Sequence, residues 1–402
     1  MEKSNKSNRI KIYAFIAFLA GLFSGIFLFF LNNDYEFLRI FWIGALSSFL
    51  ILLTIWFYIK KIRPVNKPDI IVKELELYKN PKVVLVGGGT GLSTVLKGIK
   101  NYASYNHENI SAIVTVADDG GSSGKLRREL DIIAPGDIRN CIVALSKEET
   151  LLSKLFNFRF KSHGELSGHS FGNLFLAALS GINNGDFEKA VKMACDILAV
   201  KGKIIPASLH NVNIGAKFED GSEIIGESDI SEKGKEKKIN RIFLSPSDAK
   251  ANPEAVKALN EADVIILGPG SLYTSLIPNL LFPQLRDAII KSRALKVFVC
   301  NIMTQPGETS DFSASDHIKT LYNYIPGSIN FAIVNKGEMS QELLKKYEID
   351  GAFPVIIDND ELKSMNILPV MDNILLEGDY LRHNSDKLAK IIIRLVEEYK
   401  SL

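Results

Sequence analysis

After residue 80, short runs of β-branched and aliphatic residues each end in glycine or in an acidic–glycine cluster. KVVLV (82–86) runs into GGGTG (87–91), and SAIVTVA (111–117) runs into DDGGSSG (118–124). A run without polar alternation fits a strand buried on both faces, which is the habit of parallel sheets. ADVIILGPGS (262–271), ALKVFVCNIM (294–303) and INFAIVNK (329–336) repeat the pattern, and FPVIID (353–358) reads as a further strand. Helical stretches lie between them: Leu92 to Tyr102, IRNCIVALS, LLSKLFNFRF, NLFLAALSGI (173–182) and the closing SDKLAKIIIRLVEEY (385–399), capped by Asn384 or Ser385. VNIGAKFEDGSEIIGE (212–227) alternates around an acidic–glycine turn and predicts a hairpin, with RIFLSP (241–246) as a short strand. This alternation predicts an α/β fold over residues 81–402: a doubly wound, mostly parallel sheet with a smaller cap from residues 185–245.

Residues 1–67 obey a different rule. Ile12–Leu31 and Ile40–Ile59 are uncharged runs of about twenty residues, each long enough to cross a bilayer as a helix. Lys3, Lys6, Arg9 and Lys11 precede the first, and Lys60, Lys61, Arg63 and Lys67 follow the second. The link NNDYEFLR carries a single basic residue. The expectation is a transmembrane helical hairpin in the cell membrane, with both ends and the main domain cytoplasmic. Residues 68–80 form a polar linker.

The hairpin also explains the charge. Residues 1–67 hold 9 basic and 3 acidic residues, which leaves 39 basic against 43 acidic in the remainder. A domain of net −4 is a poor partner for nucleic acid. Three widely spaced cysteines, Cys141, Cys195 and Cys300, fit reduced structural thiols.

Ligands of such sheets sit beyond the carboxyl ends of the strands. Here those ends carry GGGTG, DDGGSSG, GPGSLYTS and NIMTQPGET. Bare backbone and helix N-termini attract anions, and two such turns in one sheet suit a diphosphate. The dinucleotide fingerprint is not met, because from Gly87 and Gly89 its third glycine falls on Leu92. Walker A is not met either: Gly124-Lys125 is followed by Leu126, and the leading glycine position is Asp119. No hydrolase constellation stands out, and Gly268–Ser271 is not a nucleophile elbow. Six scattered histidines imply no transition-metal site.

The candidate ligand contacts are Gly88, Gly89, Thr90 and Gly91 in the first loop, and Asp118, Asp119, Ser122 and Ser123 in the second. Asp118 and Asp119 have the chemistry to hold Mg²⁺ through water or to accept hydrogen bonds from a ribose or sugar. Of Arg127 and Arg128, one is expected to reach the anion and the other solvent. PGDIRNC (135–141) offers Arg139 and Asn140, with Asp137 as the helix cap. GHSFGNL (168–174) offers Asn173, with Ser170 as an N-cap and His169 as a weaker acid–base candidate. Gly270, Ser271, Asn301, Thr304 and Arg382 complete the set.

Taken together, VVLVGGGTGLSTVLKGIK, VTVADDGGSSGKLRREL, PGDIRNCIVAL, GHSFGNLFLAAL, GPGSLYTSLIPNLL, CNIMTQPGET and YLRHNSDKLA resemble the CofD-like superfamily, and within it the YvcK-type gluconeogenesis-factor branch. The resemblance implies a Rossmann-like, CofD-like domain that binds a UDP-sugar, notably UDP-N-acetylglucosamine. It also implies a role regulating carbon flux into cell-wall precursors and cell shape under gluconeogenic growth. NAD-type dinucleotides occupy the same cleft in some relatives. The CofD enzymes instead transfer a phospholactyl-type group from a nucleoside-diphosphate donor with Mg²⁺, which is the alternative activity. Carried over by motif, Gly88–Gly91 and Gly270-Ser271 line the diphosphate, Asp118 and Asp119 sit near ribose, sugar or metal, Asn173 and Asn301 line the cleft, and Arg382 contacts the ligand. Ser385, beside that arginine, is a candidate for phosphorylation that alters affinity. The expected partners are the nucleotide-sugar, the membrane, an enzyme making glucosamine 6-phosphate (glucosamine-6-phosphate synthase), and further copies of the chain in a homo-oligomer.

Overall fold

The computed structural model describes residues 81–101, 107–146, 151–161 and 163–399. The expected membrane hairpin and the linker at 68–80 lie outside the described residues. Among the described residues no helix is long and apolar enough to cross a membrane.

Seven parallel strands form the central sheet: β1 (Val83–Gly87), β2 (Ile110–Val114), β3 (Lys203–Pro206), β7 (Val264–Leu267), β8 (Leu295–Val299), β9 (Phe331–Asn335) and β10 (Leu368–Asp372). Their order is β10-β9-β8-β7-β1-β2-β3. β1, β2, β7 and β8 are buried along their whole length, as their unbroken apolar runs require. The chain winds outward from β1 through β2 to β3, then returns to pair β7 on the other flank of β1. The switch point therefore lies between β1 and β7, where an open α/β sheet opens its crevice.

The expected strand at 353–358 does not form. That segment makes only isolated bridges, Pro354 with Met303 and Ile356 with Ser313, and Ile356 is exposed. The sheet ends instead on β10, whose Pro369 is tolerated because the strand is an edge. The cap is smaller than expected. Residues 187–206 belong to the main domain as the helix Phe187–Ile197 and β3, so the cap is the antiparallel sheet of β4 (Asn213–Phe218), β5 (Glu223–Ile225) and β6 (Ile239–Ser245) with the helix Glu227–Gly234. The predicted hairpin is β4–β5.

The closing amphipathic helix, Ser385–Tyr399, forms as predicted, and Asn384 accepts from the Lys387 amide at 3.0 Å as its cap. It packs on the helix Gly89–Lys100, which follows β1. Gly98 permits this, because a Cβ there would overlap the Ser385 carbonyl. Two of the three cysteines are buried and all are free.

Candidate functional site

Four loops leave adjacent strand tips in the order β8, β7, β1, β2. At the centre, the β1 and β7 loops touch. A Cβ on Gly91 would overlap the Pro269 carbonyl oxygen, so only glycine allows that approach. The helix Gly89–Lys100 starts directly behind Gly88, which supplies no side-chain cap. Its first turn meets the Pro269–Ser271 backbone where the two loops join, and the Gly89 amide is held by the Asp137 carboxyl. Such a backbone cradle attracts oxyanions.

Several predicted ligand contacts hold the loops in place. Asn301 donates to the Gly270 carbonyl at 3.0 Å and accepts from the Gly270 amide at 3.2 Å, clamping the β7 loop to the β8 loop. Ser271 donates to Glu308, which also accepts from the Tyr273 amide at 3.1 Å and the Ser231 hydroxyl at 3.1 Å. Burial pushes the Glu308 carboxyl up, and those bonds oppose it. Thr304 is buried and accepts from the Phe353 amide at 2.9 Å. Arg127 is also turned inward, against the expectation that it reaches an anion. Its guanidinium donates to Asn211 Oδ1 at 2.7 Å, to the Val212 carbonyl at 2.7 Å and to the Asp118 carbonyl at 3.2 Å. Arg128 is exposed, as expected of one of the pair.

The two aspartates divide. Asp119 accepts from the Glu227 amide at 2.9 Å and the Ser228 amide at 3.2 Å. It therefore caps the helix Glu227–Gly234, whose own N-cap, Gly226, has no side chain. Asp118 accepts from the Gly120 amide at 3.0 Å within its turn, and its other oxygen faces Gly136. Among the described residues no group of three or more His, Cys, Asp or Glu is arranged to hold a metal ion.

Asp137 does not cap its own helix, Gly136–Leu145, which has no side-chain cap. It reaches across to the Gly89 amide. Desolvation raises its pKa to about 7, the charge of Asp118 adds to this, and the Gly89 bond opposes it. Desolvation, then Asp118, Asp137 and Asp119, likewise push Glu227 well up. A cluster of carboxylates thus borders the cradle, and its members hinder one another's ionisation.

Beyond Asp118, residues Ser122, Ser123, Arg139, Asn140 and Asn173 line a cavity of about 250 Å³ together with Arg159. Ser170 caps the helix Phe171–Ile182 by accepting from the Asn173 amide at 3.3 Å, as expected. Residues 120–124 meet the G-x-S-x-G spacing of a nucleophile elbow. Ser122 Oγ lies 3.1 Å from His169 Nδ1, but both residues are buried and Ser122 also accepts from the Ser170 amide at 3.4 Å. No carboxylate pairs with His169 among the described residues, so this is a structural tie rather than a triad. On the opposite flank, Asn301, Asn335 and Lys336 line a second cavity of about 250 Å³ beside Cys300. His383 is tied to the Cys300 carbonyl at 3.0 Å, which sets the exposed Arg382 of the short strand Arg382–His383 near that flank. Glu308, Arg159 and Glu227 were not singled out from sequence. Only Glu308 carries a signal there, as the acid of the PGET turn.

Residues 83–375 match the family model described as 2-phospho-L-lactate transferase CofD. The chain is 46% identical to the gluconeogenesis factor of Bacillus subtilis, covering 80% of this chain and 99% of that one. It is 47% identical to the gluconeogenesis factor of Halalkalibacterium halodurans, over 78% of this chain and 96% of that one. A crystal structure of a UPF0052-family protein from Bacillus halodurans superposes with a TM-score of 0.75 at 46% identity, over 78% of this chain and 99% of that one. The chain therefore belongs to the CofD family and, within it, to the gluconeogenesis factors.

Proposed function

We propose that this protein is a non-enzymatic regulator that binds a UDP-sugar, UDP-N-acetylglucosamine first among them, and adjusts carbon flow into cell-wall precursors and cell shape during gluconeogenic growth. One observation carries the reading: two glycine turns meet at the β1/β7 switch point, where Gly91 packs directly on the Pro269 carbonyl. A diphosphate has oxygens for both turns. In this reading the nucleoside lies over the β8–β9 flank, among Asn301, Asn335 and Lys336, with Arg382 at its edge. The relatives named as gluconeogenesis factors support the physiological part. The regulated partner is an enzyme making glucosamine 6-phosphate, and the N-terminal hairpin holds the domain at the cytoplasmic membrane face.

The family model and the carboxylate cluster favour a second reading, a phospholactyl-type transferase using Mg²⁺. Phosphoryl-type transfer needs mainly positioning and charge, so the lack of a side-chain nucleophile does not count against it. Calorimetric titration with UDP-N-acetylglucosamine, GDP and NAD, with and without Mg²⁺, decides between them. The regulator binds the UDP-sugar selectively and leaves it intact. Guanine preference with Mg²⁺-dependent transfer means the enzyme.

A further inference from the structure

On the β2 side of the cradle, the cavity bounded by Ser122, Ser123, Arg139, Arg159 and Asn173 has a chemistry of its own. The helix Gly121–Leu130 begins at its wall, and the N-cap Gly120 offers no side chain to the first amides. The positive end of that helix thus points at the cavity. Arg139 is 7% exposed, and its Nε has no hydrogen-bond partner. Its Nη2 is held by Asn140 Oδ1 at 2.6 Å. A guanidinium has only donors, and a buried donor left unmade costs free energy. Arg159 brings a second guanidinium, steadied by the Gly168 carbonyl at 3.0 Å. Burial pushes the Arg139 guanidinium down, and the charge of Arg159 adds to this. Asn173 is 2% exposed, and its side-chain oxygen is buried without a donor. Asp118 and Asp137 stand on the facing wall, and near neutrality Asp137 is partly protonated.

Three of these features, the helix start and the two guanidinium groups, ask for an anionic oxygen group, and the Asn173 oxygen asks for a hydroxyl. A neutral sugar satisfies only the last. We propose that this pocket binds a second anion, the phosphoryl or carboxylate group of a small hydroxylated metabolite, separate from the nucleotide-sugar in the cradle. Arg139, Arg159 and the start of the helix Gly121–Leu130 hold the anion, and Asn173 accepts a hydroxyl. Its volume of about 250 Å³ accommodates a small anion with a hydroxylated body.

The test titrates the full-length chain with inorganic phosphate and with glycerol 3-phosphate, by calorimetry and by ³¹P NMR. Saturable binding is expected, tighter for glycerol 3-phosphate because of its hydroxyls. Arg159→Ala, at an exposed position that does not threaten folding, weakens both probes by about tenfold or more. Asn173→Asp, of the same shape, does so by adding a negative charge. UDP-N-acetylglucosamine binds alongside the phosphate in the unaltered protein. Gly91→Ala closes the cradle yet keeps phosphate binding, so loss of one reading is distinguishable from loss of the other. The inference is overturned by absence of saturable phosphate binding, by unchanged affinity in Arg159→Ala, or by displacement of phosphate by the nucleotide-sugar.

Discussion

Asp137 shows how a single side chain couples the loop geometry to pH. Its carboxyl is crowded by Asp118, faces Arg139 and accepts the Gly89 amide, and desolvation lifts its pKa from 3.8 to about 7. A carboxyl raised in the folded state favours folding most at low pH. Between 3.8 and about 7 the unfolded chain ionises first, so this contribution falls as pH rises and is gone above about 7. Asp137→Asn keeps the shape and removes the titration. Thermal melts at pH 5.5 and pH 8 are expected to show the unaltered protein losing stability toward pH 8 and the variant losing much less. At pH 8 the variant is expected to be more stable by on the order of 1 kcal/mol, less than the full shift implies because solvent reaches part of the site. Equal pH dependence in both proteins would remove Asp137 from the account. The sequence placed this residue as a cap on its own helix, because a cap is a local inference. Its actual partner, Gly89, opens the helix that follows β1, about fifty residues earlier in the chain.

At the scale of elements, the same distinction between local and distant partners decides what could be read. Glycine loops and buried strands are written in consecutive residues, so β1, β2, β7, β8 and β9, the β4–β5 hairpin and the last helix are all legible. The edge strands β3 and β10 are not, since Pro206 and Pro369 argue against strand and their faces are only partly apolar. FPVIID misleads for the opposite reason: its composition is strand-like, but the neighbouring place in the sheet is taken. The site follows suit. Ser122 and Asn173 line the cavity beyond Asp118, and Gly91 and the Pro269–Gly270 turn meet between β1 and β7. Arg127 and Asp119 are drawn away by partners 84 and 108 residues distant, Asn211 and Glu227. If Asp119 serves as the cap of Glu227–Gly234, Asp119→Ala costs that helix about 1 kcal/mol. Hydrogen exchange of the 227–234 amides is then expected to accelerate about fivefold, with the central sheet unchanged. Asp119→Asn keeps one of the two acceptor oxygens and should exchange at a rate between those of the original and the alanine variant. A magnesium ligand would behave otherwise, because the asparagine would weaken metal affinity while exchange stayed slow in both variants.

For the whole molecule the question is what residues 1–67 add. The matched 80% of this chain accounts for 99% of the Bacillus subtilis relative, so the same domain exists there as nearly an entire protein. That argues that residues 75–402 fold without the segment before them. The preceding segment has its own free energy of insertion. On a scale of about −0.3 to −0.6 kcal/mol per Leu, Ile or Phe near a helix centre, two uncharged runs of some twenty residues favour the bilayer strongly. In the proposed topology the basic flanks at Lys3–Lys11 and Lys60–Lys67 place both ends on the cytoplasmic side. The expected outcome is a full chain that sediments with membranes and resists alkaline carbonate, beside a truncated chain, residues 75–402, that stays in the supernatant. A reporter fused after Lys67 should be active only on the cytoplasmic side. Because the cradle is built wholly from residues after 86, the truncated protein should bind UDP-N-acetylglucosamine as tightly as the full chain. If it binds more weakly, the membrane segment acts on the site. Recovery of the full chain in the soluble fraction would mean that these apolar runs pack within a protein rather than a bilayer.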